Sequence, residues 1–180
     1  MPREVEVKFR VEGHDVLRRK LREAGAAYVD TVDQVDIYFQ HPCRDFASTD
    51  EALRLRVNYS GSGSYAELTY KGPKEGGWAK NREEIVARVE AAEALRKILE
   101  RLGFSEVATL RKHREFYVLD GTEVSLDYVE GLGFFVEIED KGGGVEALRE
   151  VVSRLGLTGE PLPKTYLELY LEEKATRQRT

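Results

Sequence analysis

The chain has 180 residues, of which 41% are hydrophobic and 34% are charged, a composition typical of one globular domain. No apolar run approaches the ~18 residues of a membrane-spanning helix and no signal-peptide pattern opens the chain, so we expect a soluble, cytoplasmic protein without a membrane partner. The net charge of -5 disfavours a nucleic-acid partner. The single cysteine, Cys43, excludes an internal disulfide and a thiolate metal cluster.

Hydrophobic periodicity predicts alternating groups of strands and helices. In the first half we expect a strand at 3–11, a helix at 16–24, strands at 32–39, 52–59, 65–71 and 80–89, and a helix at 91–102. In the second half we expect strands at 109–119, 123–129 and 134–139, a helix at 145–155, and a closing element at 166–171 of undecided type. The glycine-rich loop after the fourth strand is predicted to be mobile, with Lys74 or Lys80 able to reach a nearby site.

One face of nearly every predicted strand carries charged residues at a spacing of two. Glu4, Glu6 and Lys8 share a face of the first strand, and Arg54 and Arg56 share a face of the third. The opposite faces are apolar and can pack under amphipathic helices. Two architectures fit this pattern: an open sheet with solvent on its charged face, or a closed barrel with a charged interior.

A closed interior that holds both acids and bases suits a polyphosphate bound with divalent metal ions. Arginine and lysine side chains match phosphate oxygens, and several converging on one site bind a chain of negative charges. Clustered carboxylates are oxygen ligands of the kind that Mg²⁺ and Mn²⁺ prefer. Surface ion pairs contribute only ~0–1 kcal/mol each, so solubility alone explains this mixture poorly.

The motif EVEVK at 4–8 resembles the E-x-E-x-K signature of the CYTH family, the triphosphate tunnel metalloenzymes. That family includes class IV adenylate cyclases, thiamine triphosphatases and inorganic triphosphatases. Further stretches follow in the family's order, from about residue 3 to residue 171: DIYF, DEALRLR, LTYKGP, NREE, RKHR, LDYVEGLGFFVEIE and TYLEL.

The resemblance implies an α+β fold: an eight-stranded antiparallel closed β barrel that forms a tunnel, with helices packed outside. It also implies a single CYTH domain over residues 1–172, and we expect a frayed tail at 173–180. By the same resemblance Mg²⁺ or Mn²⁺ is the expected cofactor and a homodimer is plausible.

The resemblance also implies roles for individual side chains. The metal-binding acids it implies are Glu4, Glu6, Asp127, Glu137 and Glu139. The triphosphate-binding residues it implies are Lys8, Arg54, Arg56, Lys71, Arg82, Lys112 and Arg114. Glu6, Lys71 and Glu139 are the candidate catalytic residues. Where many relatives have an acid two residues beyond the one matching Glu84, this chain has Val86, which weakens a role for the acids of the fifth strand.

Three functions remain open. The leading hypothesis is a class IV adenylate cyclase-like enzyme that converts ATP to cyclic AMP and pyrophosphate, because HPCRDFASTDEALRLR is similar to that branch. The alternative is a triphosphatase that hydrolyses inorganic tripolyphosphate or an organic triphosphate such as thiamine triphosphate. The third is a non-catalytic module that binds polyphosphate or a nucleotide. Four of the metal-binding acids, Glu4, Glu6, Glu137 and Glu139, argue against it, because they would repel an anion that binds without metal.

Overall fold

The computed structural model describes residues 2–179 and shows an α+β fold built on one closed antiparallel barrel. The strand order around the barrel is β1-β5-β4-β3-β2-β6-β7-β8. The strands are β1 (Arg3–Val11), β2 (Ala27–Gln40), β3 (Ala52–Ser60), β4 (Gly63–Lys71), β5 (Lys80–Val89), β6 (Ser105–Leu119), β7 (Thr122–Val129) and β8 (Gly133–Asp140). The helices are α1 (Asp15–Glu23), α2 (Phe46–Thr49), α3 (Ala92–Arg101), α4 (Gly144–Arg154) and α5 (Tyr166–Arg177).

The first strand closes the barrel. β1 pairs with β5 along its first half, where Glu6 lies opposite Lys80, and with β8 along its second half, where Glu6 lies opposite Glu139 and Lys8 opposite Glu137. Because side chains alternate across a strand, this register brings the inward-facing charged side chains together in one lumen. The closed barrel is therefore confirmed, and the open sheet is excluded.

The outer face of the barrel is apolar where helices cover it. Leu17 and Leu21 of α1 and Leu148 of α4 pack on the buried side chains Val7 and Ile138. Leu99 of α3 packs on a second patch of the wall, formed by β2, β3 and β4. Because apolar and charged residues alternate along the strands, the barrel has a hydrophobic core on its outer face and a charged lumen inside.

The C-terminal helix covers one end of the tunnel. A capping box starts it: the Thr165 hydroxyl accepts from the backbone N–H of Glu168, and the Glu168 carboxylate accepts from the backbone N–H of Thr165. Tyr166 packs with Leu110 and Phe135, which lie on the lumen-facing side of their strands. The closing element of undecided type is thus a helix that seals the barrel with an apolar layer.

Some boundaries differ from the predicted ones. β2 begins at Ala27 instead of residue 32, because its first residues pair with the end of β6 across a bulge and leave Tyr28 and Val29 exposed, which removes the period-two pattern. α2 is a single helical turn between β2 and β3, where the sequence pattern predicts no element, and Asp45 caps it. α5 continues through Arg177, so it includes the first part of the 173–180 segment, and residues 1 and 180 lie outside the described range.

Among residues 2–179, no helix has the length and the apolar character needed to cross a membrane.

Leu148→Ala should lower the free energy of unfolding by about 2–5 kcal/mol, because Leu148 is fully buried between α4 and the barrel wall and its truncation leaves a cavity. Val145→Ala, on the same helix at a position 43% exposed, is the matched control and should cost less than about 1 kcal/mol. Urea unfolding of both variants measures the difference; equal losses would contradict the packing of α4.

Candidate functional site

The barrel encloses a tunnel of about 480 Å³, a volume in the range of small-molecule sites. Eleven of the twelve predicted site residues line it. They are Glu4, Glu6, Lys8, Arg54, Arg56, Lys71, Arg82, Lys112, Arg114, Glu137 and Glu139. Residues from β1, β3, β4, β5, β6 and β8 are thus brought together by closure of the barrel, as the resemblance implies.

Asp127 is the exception, since it does not line the cavity and is fully buried. The Arg114 guanidinium donates to both of its carboxylate oxygens, at 2.6 and 2.5 Å, and the Tyr166 hydroxyl donates to Oδ2 at 2.6 Å. Arg114 also pairs with Glu137. In this structure Asp127 therefore orients Arg114 toward the lumen from behind, and its assignment as a metal ligand stays a prediction.

A second arginine is held in the same way by an acid that the sequence did not single out. Arg56 donates to both oxygens of Asp36, at 2.6 and 2.7 Å, and Lys112 lies 3.5 Å from the same carboxylate. Burial opposes ionisation of Asp36, but Arg56 and Lys112 hold its pKa well below the ordinary value. The sequence did contain a signal for Asp36. It lies two residues from both Gln34 and Tyr38, so all three share the lumen-facing side of β2.

Two lysines lie beside the ring of Tyr166 at the covered end of the tunnel. Lys8 Nζ is 3.8 Å from the ring centroid and Lys112 Nζ is 5.1 Å from it. Burial lowers the pKa of Lys8, and burial together with the charges of Arg114 and Arg56 lowers the pKa of Lys112 to about 7. Lys112 is therefore poised to gain positive charge when an anion enters.

Arg54 has hydrogen-bonding capacity to spare. Its buried Nε has no hydrogen-bond partner within residues 2–179, and its Nη2 makes a long bond of 3.3 Å to the Thr69 hydroxyl. The Glu84 carboxylate is 3.9 Å away. A buried donor without a partner costs about 1–3 kcal/mol, so Arg54 gains more than Arg56 from a phosphate oxygen in the lumen.

The four acids of the predicted metal set that line the tunnel are each paired with a lysine. Glu4 accepts from Lys71 at 2.6 Å, and Glu139 from Lys141 at 2.7 Å. Glu137 lies 3.1 Å from Lys8. Lys80 reaches into the tunnel and lies 2.5 Å from Glu6. Lys80 begins β5, in agreement with the predicted strand at 80–89, and shares the inward face with Arg82, so it reaches the tunnel from the strand.

Glu139 shows that negative charge is concentrated here. Burial is the largest cause that raises its pKa, to about 7, and the nearby charges of Glu4 and Glu6 raise it further against the opposing effect of Lys141. Among the described residues, no group of three or more acid, histidine or cysteine side chains is arranged to hold a metal ion as it stands. The donor set nevertheless fits Mg²⁺ or Mn²⁺, because a divalent cation would relieve this repulsion between carboxylates. Glu4, Glu6 and Glu139 would hold the ion after their lysines release them.

The fifth strand carries an apolar residue where an acid was expected. Val86 lines the tunnel, while Glu84 lies 3.3 Å from Lys71. Arg82 donates to the backbone carbonyls of Gly72 and Asp50 and so braces the β4–β5 connection. Among the inward residues of β5, the basic side chains Lys80 and Arg82 therefore make most of the polar contacts.

Glu139→Gln should stabilise the metal-free protein at pH 8 and leave it nearly unchanged at pH 5. The folded-state pKa of about 7 lies above the ordinary value of 4.5, so ionising Glu139 disfavours the folded state, and this penalty grows as pH rises through that window. Thermal unfolding at both pH values with chelator present measures the effect, with the exposed Glu12→Gln as control. A variant less stable than the parent at pH 8 would contradict the analysis.

Known proteins share this sequence and architecture. The CYTH domain family model matches residues 2–166. A protein of Methanocaldococcus jannaschii named "Putative adenylate cyclase MJ0240" is 38% identical over 174 residues, which cover 92% of this chain and 97% of that protein.

Solved structures agree with the sequence match. The PH1819 protein of Pyrococcus horikoshii OT3 superposes with a TM-score of 0.81 at 38% identity, covering 94% of this chain and 99% of that one. HpAC1 from Hippeastrum has a TM-score of 0.69 at 20% identity, covering 94% and 95%; it is an adenylyl cyclase by name for which a dominant triphosphatase activity is described. The family match and the sequence identity together show that this chain belongs to the CYTH domain family.

Proposed function

We propose that this chain is a divalent-cation-dependent enzyme that binds a small-molecule triphosphate in the tunnel and cleaves or rearranges its phosphate chain. The observation that carries the proposal is the pairing of tunnel charges. Acids and bases line one lumen of about 480 Å³, and Glu4, Glu6 and Glu137 are each paired with a lysine that a phosphate can take over. A simple anion-binding module has no use for the acids.

Two sets of basic side chains would bind the substrate. Arg56 and Arg114 are each held rigidly by a buried aspartate, so they present a fixed fork to phosphate oxygens at little entropic cost. Arg54 has a donor without a partner and Lys112 has charge in reserve, so both would respond to the charge of the substrate.

The bound cation would be held by Glu4, Glu6 and Glu139. It would polarise the phosphate oxygens and lower the pKa of the attacking oxygen. Lys71 lies between Glu4 and Glu84 and would stabilise charge that develops on the phosphate chain. No serine or cysteine nucleophile is required by such a direct displacement.

The first candidate reaction is cyclisation of ATP, in which the ribose 3'-hydroxyl attacks the α-phosphorus and pyrophosphate leaves. The name of the Methanocaldococcus relative supports it. Two aromatic side chains, Tyr65 and Phe116, line the same cavity and could stack against a nucleobase.

The second candidate reaction is hydrolysis, in which water attacks the terminal phosphorus of tripolyphosphate or of an organic triphosphate. The activity described for HpAC1 favours it, and the binding residues named above all suit the phosphate chain, which every such substrate shares.

A product assay on the purified chain tests the proposal. ATP and tripolyphosphate are offered in parallel with Mg²⁺ or Mn²⁺, and cyclic AMP, pyrophosphate and orthophosphate are resolved. Cyclic AMP with an equal amount of pyrophosphate supports the cyclase, whereas orthophosphate from tripolyphosphate without cyclic AMP supports the triphosphatase. Tight binding of both compounds without any product would overturn the enzymatic proposal in favour of a binding module.

Glu6→Gln should lower kcat/KM at least about 100-fold in whichever of these reactions occurs, because it removes a carboxylate that would hold the cation while keeping the side-chain volume. Glu12→Gln, an exposed position just beyond β1, should stay within twofold of the parent. Circular dichroism checks that both variants fold. Full activity in Glu6→Gln would remove Glu6 from the metal site.

Binding of tripolyphosphate at pH 8 should take up protons from the buffer. Lys112, with a pKa of about 7 in the ligand-free tunnel, is largely neutral at this pH, and a neighbouring phosphate favours its charged form. Metal-free calorimetry in two buffers of different ionisation enthalpy measures the uptake. Lys112→Met should reduce it by about half a proton or more, and the exposed Lys97→Met should not. Undiminished uptake in Lys112→Met would contradict the assignment.

A further inference from the structure

Lys80 is a charged residue that neither the motifs nor the family resemblance assigned to the tunnel. It is the first residue of β5, its cross-strand partner on β1 is Glu6, and its side chain is 10% exposed. Its ammonium lies 2.5 Å from Glu6 Oε1. The charges of Glu137 and Glu4 act on it as well. Lys80 therefore projects into the acid cluster from β5, which flanks β1 on the side away from β8.

The surroundings of Lys80 keep it charged. Burial works to lower its pKa, but the carboxylates of Glu6 and Glu137 outweigh burial and raise the pKa above the ordinary value. The exposed Lys141 pairs with Glu139 at the edge of the same cluster with 46% of its side chain accessible. Of these two lysines, Lys80 is the one that is dehydrated, and the one whose pairing with an acid is buried.

We propose that Lys80 is a built-in counter-cation of the acid cluster: it occupies Glu6 in the empty tunnel, yields it to the divalent cation, and transfers its ammonium to a phosphate oxygen of the substrate. This inference rests on the proposed function. It adds Lys80 to the residues that bind the substrate. It also predicts that metal binding and substrate binding strengthen each other.

The physical reason is that each partial complex leaves a charge uncompensated. A metal ion on Glu6 without substrate places two cationic centres side by side and leaves the Lys80 ammonium buried without its carboxylate. A triphosphate without metal meets free carboxylate charge as soon as Lys80 turns toward it. When both bind, every charge has a partner. Metal and triphosphate should thus each raise the affinity for the other by the same factor.

Mn²⁺ binding without any phosphate compound tests the first half of the proposal. Lys80→Met keeps the length of the side chain and removes the competing charge, so it should bind Mn²⁺ at least about tenfold more tightly than the parent, as followed by electron paramagnetic resonance of the free ion. Lys97→Met, at an exposed position of α3 outside the tunnel, is the control and should change the affinity less than about threefold. Unchanged or weaker Mn²⁺ binding in Lys80→Met would overturn the proposal.

Tripolyphosphate binding tests the second half. In the parent, saturating Mg²⁺ should raise the tripolyphosphate affinity by a factor that calorimetry can measure, and Lys80→Met should reduce that factor at least about fivefold. An undiminished factor in Lys80→Met would show that Lys80 does not move to the substrate.

A measurement on the unsubstituted chain covers the case in which Lys80→Met fails to fold. In protein labelled with ¹³C-lysine, the ε-methylene signal of Lys80 should shift on saturation with Mg²⁺, while that of the exposed Lys97 should not. A Lys80 signal that does not move would overturn the proposal.

The outcomes for Lys80 and for the enzymatic function are distinguishable. Absence of turnover in the parent would remove the proposed function and leave the Mn²⁺ and NMR results to be judged on their own. Turnover in the parent together with unaltered Mn²⁺ affinity in Lys80→Met would remove only the role of Lys80.

Discussion

Neutralisation of buried charge is the constraint on which the rest of the structure depends. A barrel that turns eleven charged site residues inward is tenable because acids and bases lie within direct contact of each other, as in the Arg56–Asp36 and Arg114–Asp127 pairs. Unpaired burial of one such charge would cost several kcal/mol. The same pairing prepares the site for ligands, since a triphosphate and a cation together present the charges that these side chains already accept from one another.

The strands could be predicted from the sequence where charged and apolar residues alternate in the way that the closed barrel requires. β1 and β5 have the predicted bounds, and their charged parity explains why the lumen is polar. Pattern alone did not separate an open sheet from a barrel, because both give one apolar face; the pairing of β1 with β5 and β8 is a long-range fact that local sequence does not carry. The type of α5 also depends on a long-range contact, because its apolar residues pack into the end of the barrel.

The sequence predicted which residues line the candidate site, but not which side chains pair with each other there. Spacing and resemblance identified the inward residues, but they did not show that Asp127 lies behind Arg114 or that Asp36 braces Arg56. A carboxylate that binds an arginine and one that binds a metal look alike in a sequence, since both alternate on the same strand face. The contact between Lys80 of β5 and Glu6 of β1 depends on the register of two strands that are far apart in the sequence.

The seam between β1 and β8 joins the beginning of the chain to its last strand, and the tunnel acids lie along it. During synthesis, Glu4 and Glu6 are made well before Glu137 and Glu139, so the two pairs of acids meet only after β8 is complete. The acid cluster therefore cannot assemble before β8 joins β1, and a chain that stops short of β8 lacks half of the four carboxylates of the predicted metal set that line the tunnel.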